Sequence, residues 1–302
     1  MGTIVSIEVI EPPGASLASQ LDAGLDRAFE WFHEVERRCS RFDEHSELRA
    51  LTRQTGTAVQ VSELVYHAVH FALTVAEDTD GAFDPTVGLD MEARGFDRHY
   101  LTGARHRTEL GSRGSTERHS GASYRDVVLD SATRTIRLSK PLLLDLGAVA
   151  KGLAIDLAAR ELAPFEDFAI DAGGDLYVAG LNAARQPWSV GIRHPRRDRE
   201  VIERLALSNS AICSSGDYER TGPAGHHILD PRHGGEAATL ASATVVAPTA
   251  MVADALATAA FVLGPDDGLA LLERHGVDGL LLSPSLTRFT TRGLSAAILP
   301  HA

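Results

Sequence analysis

The residues best suited to chemistry lie near the carboxyl end, in the stretch from Pro248 to Ala260. Asp254 and Thr258 are four positions apart, so on a helix they share one face. Their neighbours are small or apolar, and a carboxylate buried among such residues needs a partner to stay ionised. A carboxylate and a hydroxyl one turn apart are hard oxygen donors that suit Mg²⁺. In the alternative interpretation, Asp254 caps a neighbouring loop and Thr258 bonds back along its own helix.

A second stretch, from Leu144 to Asp156, predicts a strand that runs through Gly147 into a helix. The free N–H groups and the positive dipole end at such a junction suit a phosphate. Lys151 would place a cation there. However, the Walker pattern is absent, and a lone lysine on a first helical turn is equally accounted for as a solvated side chain.

Three histidines, His226, His227 and His233, lie within eight residues. Because neighbours in an extended strand point to opposite faces, His226 and His227 are unsuited to one metal ion. A single histidine that transfers a proton is therefore favoured over a zinc site, and partly exposed loop histidines are the alternative.

Two glycine-containing turns complete the candidates. Gly81–Thr86 has a permissive glycine and places Asp84 before a proline, which holds the backbone extended; a turn between a helix and a strand accounts for it as well. The adjacent glycines in Ile170–Asp175 allow close approach of a ligand or of another chain segment, and a hairpin accounts for them equally.

The composition narrows the function classes. The chain has 302 residues, with 29 Lys and Arg against 41 Asp and Glu, and a net charge of −12. Such an acidic chain is a poor candidate for nonspecific nucleic-acid binding. Two cysteines, Cys39 and Cys213, exclude a disulfide-built scaffold and a thiolate zinc cluster but leave one disulfide open. No apolar run approaches the roughly 20 residues of a membrane helix.

Hydrophobic periodicity predicts an α+β order with mixed strand pairing rather than strict alternation of strand and helix. Ser62 is the predicted N-cap of the second helix. The polar stretch 101–123, which has no apolar period, is the predicted flexible insertion. Helices are predicted over 16–38, 62–79, 149–162, 250–262 and 266–275. Strands are predicted over 3–10, 126–130, 135–138, 142–146, 168–171, 175–179, 188–192, 204–207, 241–246, 277–282 and 288–290.

Seven short motifs, taken in order, resemble the ApbE family of flavin transferases over nearly the whole chain. They are Ser40-Arg-Phe, Gly81-Ala-Phe-Asp-Pro-Thr-Val, Asp145-Leu-Gly-Ala-Val-Ala-Lys-Gly, Ala172-Gly-Gly-Asp, Ser215-Gly-Asp-Tyr, His227-Ile-Leu-Asp-Pro-Arg, and Asp254 with Thr258. Each motif alone is weak, and together they identify the family.

The resemblance implies one domain over 1–302 with two lobes, a T-fold-like mixed α/β portion and a second α/β portion, with a FAD cleft between them. It implies a Mg²⁺-dependent FAD:protein FMN transferase that attaches FMN to a Ser or Thr of an acceptor protein, in a motif like Ser/Thr-Gly-Ala-Thr, and releases AMP. The metal ligands would be Asp254, Thr258 and the carbonyl of Ala148, and His227, Asp254 and Lys151 would be catalytic. The implied FAD contacts are Met1, Phe42, Ala82, Phe83, Asp84, Asp145, Lys151 and Ile228.

Two other functions remain open at this point: a Mg²⁺-dependent FAD pyrophosphatase, in which water replaces the protein hydroxyl, and a FAD-binding protein without turnover. The first residues carry no charged-then-apolar export signal and no lipidated cysteine, which predicts a cytoplasmic location for the chain as given. A chain trimmed of an export signal would have the same sequence.

Overall fold

A computed structural model describes residues 2–10, 18–98, 103–112, 121–219, 221–222 and 225–300. Its helices are α1 (Ala18–Cys39), α2 (Glu47–Thr52), α3 (Glu63–Asp78), α4 (Gly88–Ala93), α5 (Glu109–Ser112), α6 (Gly147–Glu161), α7 (Ala250–Leu263) and α8 (Pro265–Arg274). Its strands are β1 (Val5–Val9), β2 (Ala58–Gln60), β3 (Val127–Asp130), β4 (Thr135–Leu138), β5 (Phe168–Ala172), β6 (Asp175–Ala179), β7 (Trp188–Arg193), β8 (Val201–Leu207), β9 (Ser210–Gly216), β10 (Thr221–Gly222), β11 (Gly225–His226), β12 (Leu229–Asp230), β13 (Gly235–Glu236), β14 (Ser242–Ala247), β15 (Asp278–Leu282) and β16 (Arg288–Thr290).

A seven-stranded sheet in the order β1-β5-β6-β9-β14-β15-β16 forms the centre of the fold. Each pairing in it is antiparallel. The two hairpins β5–β6 and β15–β16 require that direction, because a short turn reverses the chain. Within the described residues, the mixed pairing predicted from sequence is confined to an isolated parallel bridge between Val87 and Leu143.

The two faces of this sheet are covered differently. Helix α7 packs on β9 and β14, α6 packs on α7, and α1 packs on α6, so the larger apolar core lies on the helical face. The opposite face carries a smaller core, in which the β7–β8 hairpin contributes Val190, Ile192, Leu205 and Leu207. A sheet between helices and a hairpin agrees with the predicted α+β class.

The crossing of α6 and α7 is unusually close at one point. A Cβ added to Gly152 would lie 2.5 Å from the carbonyl carbon of Ala250, at the start of α7. One turn further along α6, the Asp156 carboxylate accepts hydrogen bonds from the N–H groups of Ala250 (2.7 Å) and Met251 (3.0 Å). A carboxylate at a helix N-terminus satisfies two of the N–H groups that lack intrahelical partners and complements the helix dipole. Helix α6 therefore fixes where α7 begins.

Most predicted elements are confirmed, with ends shifted by a few residues. Ser62 caps α3 by accepting a hydrogen bond from the N–H of Val65 (3.3 Å), as predicted. The strand predicted over 142–146 is wrong: there, only Leu143 forms a bridge, and the chain runs as a connection into α6. The elements that were missed are the helices α2, α4 and α5 and the strands β2 and β9 to β13.

Of the predicted insertion, 103–112 and 121–123 are described and include α5, whereas 101–102 and 113–120 lie outside the described residues. The insertion and the two-lobed single domain remain predictions. No helix in the described part of the chain is long and apolar enough to cross a membrane.

The first prediction concerns the close crossing. Gly152→Ala is expected to lower the free energy of unfolding by about 1–3 kcal/mol, because the added methyl group meets backbone atoms that cannot rotate away. Urea denaturation measures this. Gly235→Ala is the control, because its Cβ meets no atom within 4 Å. Equal losses in the two variants would contradict the proposed role of the crossing.

The second prediction concerns Asp156. Burial outweighs its hydrogen bonds to Met251 and Ala250 and raises the pKa of this carboxyl from 3.8 to about 6. The folded state therefore binds the proton more tightly than the unfolded state, and the contribution to stability is present at low pH and lost as the pH rises through about 6. The unfolding free energy of the wild type minus that of Asp156→Asn should fall between pH 4 and 6, by about 1.4 kcal/mol per unit of pKa difference. A rise over this interval would overturn the assignment.

Candidate functional site

One cavity of about 1380 Å³ opens beside the ends of α1, α6 and α7. It exceeds the roughly 300–1,000 Å³ usual for pockets that hold drug-sized molecules. Met1 lies outside the described residues. The other predicted site residues all line this cavity: Phe42, Ala82, Phe83, Asp84, Asp145, Ala148, Lys151, His227, Ile228, Asp254 and Thr258. Segments that are far apart in sequence thus converge on one space.

Helix α7 contributes the two oxygen donors predicted as a metal pair. Asp254 is only 5% exposed, and its Oδ2 lies 3.3 Å from Nζ of Lys151. The Thr258 hydroxyl is 2.9 Å from the hydroxyl of Ser215 on β9. The partners of Asp254 and Thr258 are therefore side chains of the cavity, whereas the alternative interpretation expected a capped loop and the helix's own carbonyls.

Lys151 lies between two carboxylates. Besides Asp254 it forms an ion pair with Asp175, which is 3% exposed and sits at the start of β6. The other oxygen of Asp175 accepts a hydrogen bond from the N–H of Ser214 (3.2 Å). Lys151 is thus held by buried ion pairs, unlike the solvated lysine of the alternative. Asp175 and Ser215 were missed as site residues, although both stand in motifs that marked the family.

The first turn of α6 is irregular at Ala148. Its φ of −94° and ψ of 16° depart from helical values. The carbonyl of Leu146 accepts both the N–H of Val149 (3.0 Å) and that of Ala150 (2.8 Å). Leu146, Gly147 and Ala148 all line the cavity, so this irregular turn forms part of its wall.

A second buried ion pair joins this junction to the end of α1. The Arg41 guanidinium lies 2.6 Å from Asp145 Oδ2, while Oδ1 accepts the N–H of Gly147 (2.8 Å). The N–H of Asp145 donates to the carbonyl of Pro85 (2.7 Å). Asp145 therefore ties three segments together at the cavity wall. Arg41 was also missed, although it is the middle residue of Ser40-Arg-Phe.

The carboxylate of Asp84 holds its own turn. Its Oδ1 accepts the N–H (2.8 Å) and the hydroxyl (2.7 Å) of Thr86, and Oδ2 accepts the N–H of Tyr124 (3.0 Å). Burial raises the pKa of this carboxyl, although the hydrogen bonds from Thr86 and Tyr124 oppose the shift. The Asp84 side chain thus stabilises a turn, as the alternative interpretation expected. The same residue also lines the cavity.

The neighbouring histidines face different surroundings, as predicted. The ring of His226 is buried against Phe261; its Nε2 bonds the carbonyl of Ala237 (3.0 Å), and its Nδ1 accepts the N–H of Ile228 (3.2 Å). His227 lines the cavity and packs edge-on against Phe96. Of these two neighbours, only His227 is placed to meet a ligand.

Both accounts of the paired glycines are correct. Gly173 and Gly174, with φ of 69° and 94°, form the turn between β5 and β6, and a Cβ on Gly173 would lie 1.9 Å from Oγ1 of Thr3. The first turn residue therefore lets the amino-terminal segment approach the cavity rim.

Neither cysteine is suited to act as a nucleophile. Both are buried and free, so the disulfide left open is not formed. Burial raises the pKa of Cys39, which lines the cavity, to about 12. The thiolate fraction at neutral pH is accordingly negligible.

Comparison with known proteins agrees with this geometry. A sequence model of the ApbE family matches residues 1–281. A FAD:protein FMN transferase of Treponema pallidum is 33% identical over 293 residues, covering 88% of this chain and 79% of the relative. A FAD:protein FMN transferase of Haemophilus influenzae is 30% identical over 279 residues, covering 87% of this chain and 79% of that relative.

Solved structures give the same result. The ApbE protein of Thermotoga maritima superposes with a TM-score of 0.81 at 29% identity, covering 98% of this chain and 96% of that one. The flavin transferase ApbE of Vibrio cholerae gives 0.80 at 27% identity, with the same coverage. The predicted family and fold class are thereby confirmed.

Proposed function

This chain belongs to the ApbE family, and we propose that it is a Mg²⁺-dependent FAD:protein FMN transferase. The reaction cleaves the diphosphate of FAD, joins the FMN phosphate to a Ser or Thr hydroxyl of an acceptor protein and releases AMP. The observation that carries the proposal is the convergence, in one large cavity, of Asp254 and Thr258 with Lys151 and His227. The relatives are FAD:protein FMN transferases, an activity that fits this set of groups.

The residues around Asp254 fit a magnesium ion. The proposed donors are the buried carboxylate of Asp254, the Thr258 hydroxyl, whose bond to Ser215 leaves a lone pair, and the carbonyl of Ala148, a residue that lines the cavity. Mg²⁺ usually takes one or two protein carboxylates and completes its shell with water and substrate phosphates. In keeping with that sparse pattern, the described residues gather no group of three or more His, Cys, Asp or Glu suited to a metal. When bound, the ion supplies Lewis-acid neutralisation of phosphate oxygens.

Lys151 supplies a positive charge of the chain's own beside that site. Its ion pairs with Asp175 and Asp254 position the ammonium group at the cavity wall. Phosphoryl transfer depends mainly on alignment and on charge neutralisation, so a positioned cation lowers the barrier. The protein's net charge of −12 makes such a local cation necessary, because the overall field repels an anionic dinucleotide.

His227 is the proposed proton acceptor. The acceptor hydroxyl oxygen bonds to the FMN phosphorus, the bond from that phosphorus to the AMP phosphate oxygen breaks, and the hydroxyl proton passes to His227. Its neighbour His226 is bonded at both ring nitrogens within the core, which leaves the proton transfer to His227. The proposed acceptor carries a Ser/Thr-Gly-Ala-Thr-like motif.

Product analysis tests the reaction as a whole. The protein is incubated with FAD and Mg²⁺, with and without a Ser-Gly-Ala-Thr peptide, and the products are identified by mass spectrometry. FMN on the peptide together with free AMP is expected. Free FMN at the same rate with and without peptide indicates a pyrophosphatase, and intact FAD in every mixture indicates a binding protein.

The third prediction concerns Asp254. Asp254→Asn should lower the rate of FMN transfer at least roughly 10²-fold, because the charged oxygen proposed to hold the metal is lost from a buried position. FAD affinity, measured by flavin fluorescence in EDTA, should change little. Asp130→Asn, at an exposed turn, is the control for loss of one carboxylate charge. Full activity of Asp254→Asn would overturn the proposed metal site.

The fourth prediction concerns His227. His227→Gln should reduce kcat for FMN transfer by ~10²–10⁴-fold, the usual contribution of a general base. The KM for FAD should stay near the wild-type value, because the side chain acts on the acceptor hydroxyl. A variant that loses FAD affinity but keeps its kcat would assign His227 to binding instead.

A further inference from the structure

The β7–β8 hairpin is covered on one edge and open on the other. The outer edge of β8 is closed by the carboxyl-terminal segment: Leu205 bridges Ile298, the N–H of Ala206 donates to Ala297 (2.8 Å), and the N–H of Leu299 donates to Arg204 (2.8 Å). Among the described residues, β7 pairs with β8 alone. In the described part of the chain, the second edge of β7 therefore has no strand beside it.

The register shows which β7 groups point to that open edge. In an antiparallel pair, opposite residues either bond to each other or both point away. Because Ala206 and Arg204 direct their backbone groups to the carboxyl-terminal segment, their partners Ser189 and Gly191 direct theirs away from β8. The open edge thus offers an alternating row of N–H and C=O groups.

The β7 edge carries no proline or lysine from Trp188 to Ile192, although Pro187 precedes it and a register shift interrupts it between Ile192 and Arg193. Free edges are normally blunted by proline, by lysine or by a covering segment. Ser189, Gly191 and Arg193 are exposed, and the first two are small enough to let another backbone approach. All three also line the cavity.

The edge leads to the proposed reaction centre. At the end of β7, the Arg193 guanidinium lies 5.3 Å from the ring centroid of Tyr218. The Tyr218 ring packs against Gly216, where an added Cβ would lie 2.5 Å from it. The next residue back, Ser215, bonds Thr258. A chain laid along β7 would thus reach the metal ligands at the Arg193 end.

The charges beside the edge favour a cationic partner. Glu8 and Asp171 line the cavity on the hairpin side of the sheet, since they share a face with Ala169, which packs against the β7–β8 core. Glu219 lies 4.0 Å from Arg193 and partly offsets its charge. Carboxylates therefore predominate here, and a segment with basic flanks is favoured.

We propose that the acceptor protein docks by adding an extended segment, flanked by Lys or Arg, as a third strand on the open edge of β7. The target hydroxyl would lie just beyond the Arg193 end. Main-chain hydrogen bonds to Ser189 and Gly191 give affinity in this mode, and side-chain contacts give selectivity. The proposal rests on the proposed FMN transfer, because it assigns how the acceptor of that reaction is held.

The first test removes one outward N–H. Ser189→Pro deletes the N–H that faces the open edge and leaves the bonds to β8 intact, a placement that edge strands tolerate. The KM for a lysine-flanked Ser-Gly-Ala-Thr peptide should rise roughly tenfold, the equivalent of one lost hydrogen bond with some steric cost. Ser189→Ala, which keeps the N–H, should leave this KM unchanged. FAD affinity should be the same in both variants.

The second test leaves the protein unaltered and modifies the peptide. Single N-methyl groups are placed at successive positions in the part of the same peptide that is proposed to lie along β7. A docked strand directs alternate N–H groups to its partner, so methylation should raise KM at every second position and be tolerated between them. Exchanging the lysine flanks for glutamate should also raise KM.

The outcomes separate the two proposals. If the wild type transfers no FMN to any peptide, the proposed function fails. If it transfers FMN but KM is the same for Ser189→Pro and wild type, or methylation shows no alternation, the docking proposal alone is wrong. Alternation together with an unchanged KM in Ser189→Pro would indicate that the peptide binds to another edge strand, such as β1. That result would also contradict the docking proposal.

Discussion

The candidate site depends on one contact, in which α6 packs against and caps the start of α7. Asp156 bonds the first free N–H groups of α7, and the missing side chain of Gly152 lets the two helices meet backbone to backbone. Asp254 and Thr258 follow within the next turns of α7, while Lys151 and Ala148 stand on α6 itself. The contact therefore sets the relative position of the cation and both oxygen donors.

A second feature of the site is that its buried charges come in ordered groups. Lys151 is shared by Asp175 and Asp254, and Arg41 is paired with Asp145. Removing ions from water is costly unless partners and hydrogen bonds compensate. Here the backbone N–H groups of Ser214 and Gly147 complete the shells of Asp175 and Asp145. The charged groups of the cavity wall are thus partnered by groups of the protein itself.

The sequence was sufficient for the five longer helices and for the cavity residues, but not for the short helices α2, α4 and α5 or for the middle of the sheet. Apolar periodicity located α1, α3, α7 and α8, and the family motifs located the groups that line the cavity. Strand β9 gave no such signal, because Ser214, Ser215 and Gly216 are small and polar: it lies under α7, where larger side chains would not fit. The leucines of Leu142–Leu146 led to the opposite error, a strand predicted where there is none. They are buried, but they lie in a connection that pairs with no strand of a sheet. Partnerships such as Lys151 with Asp175 depend on tertiary placement, which spacing does not encode.

The capping of α7 by Asp156 joins residues 94 positions apart, and the strands β5 to β14 all lie between them. Contacts of such long range form late, because the intervening chain must first be ordered. The oxygen donors on α7 consequently come into register with Lys151 and Ala148 only when this long-range contact has formed. A nascent or partly folded chain would therefore lack the assembled site for a divalent ion or a dinucleotide. Binding of either ligand would stabilise only the completely folded protein.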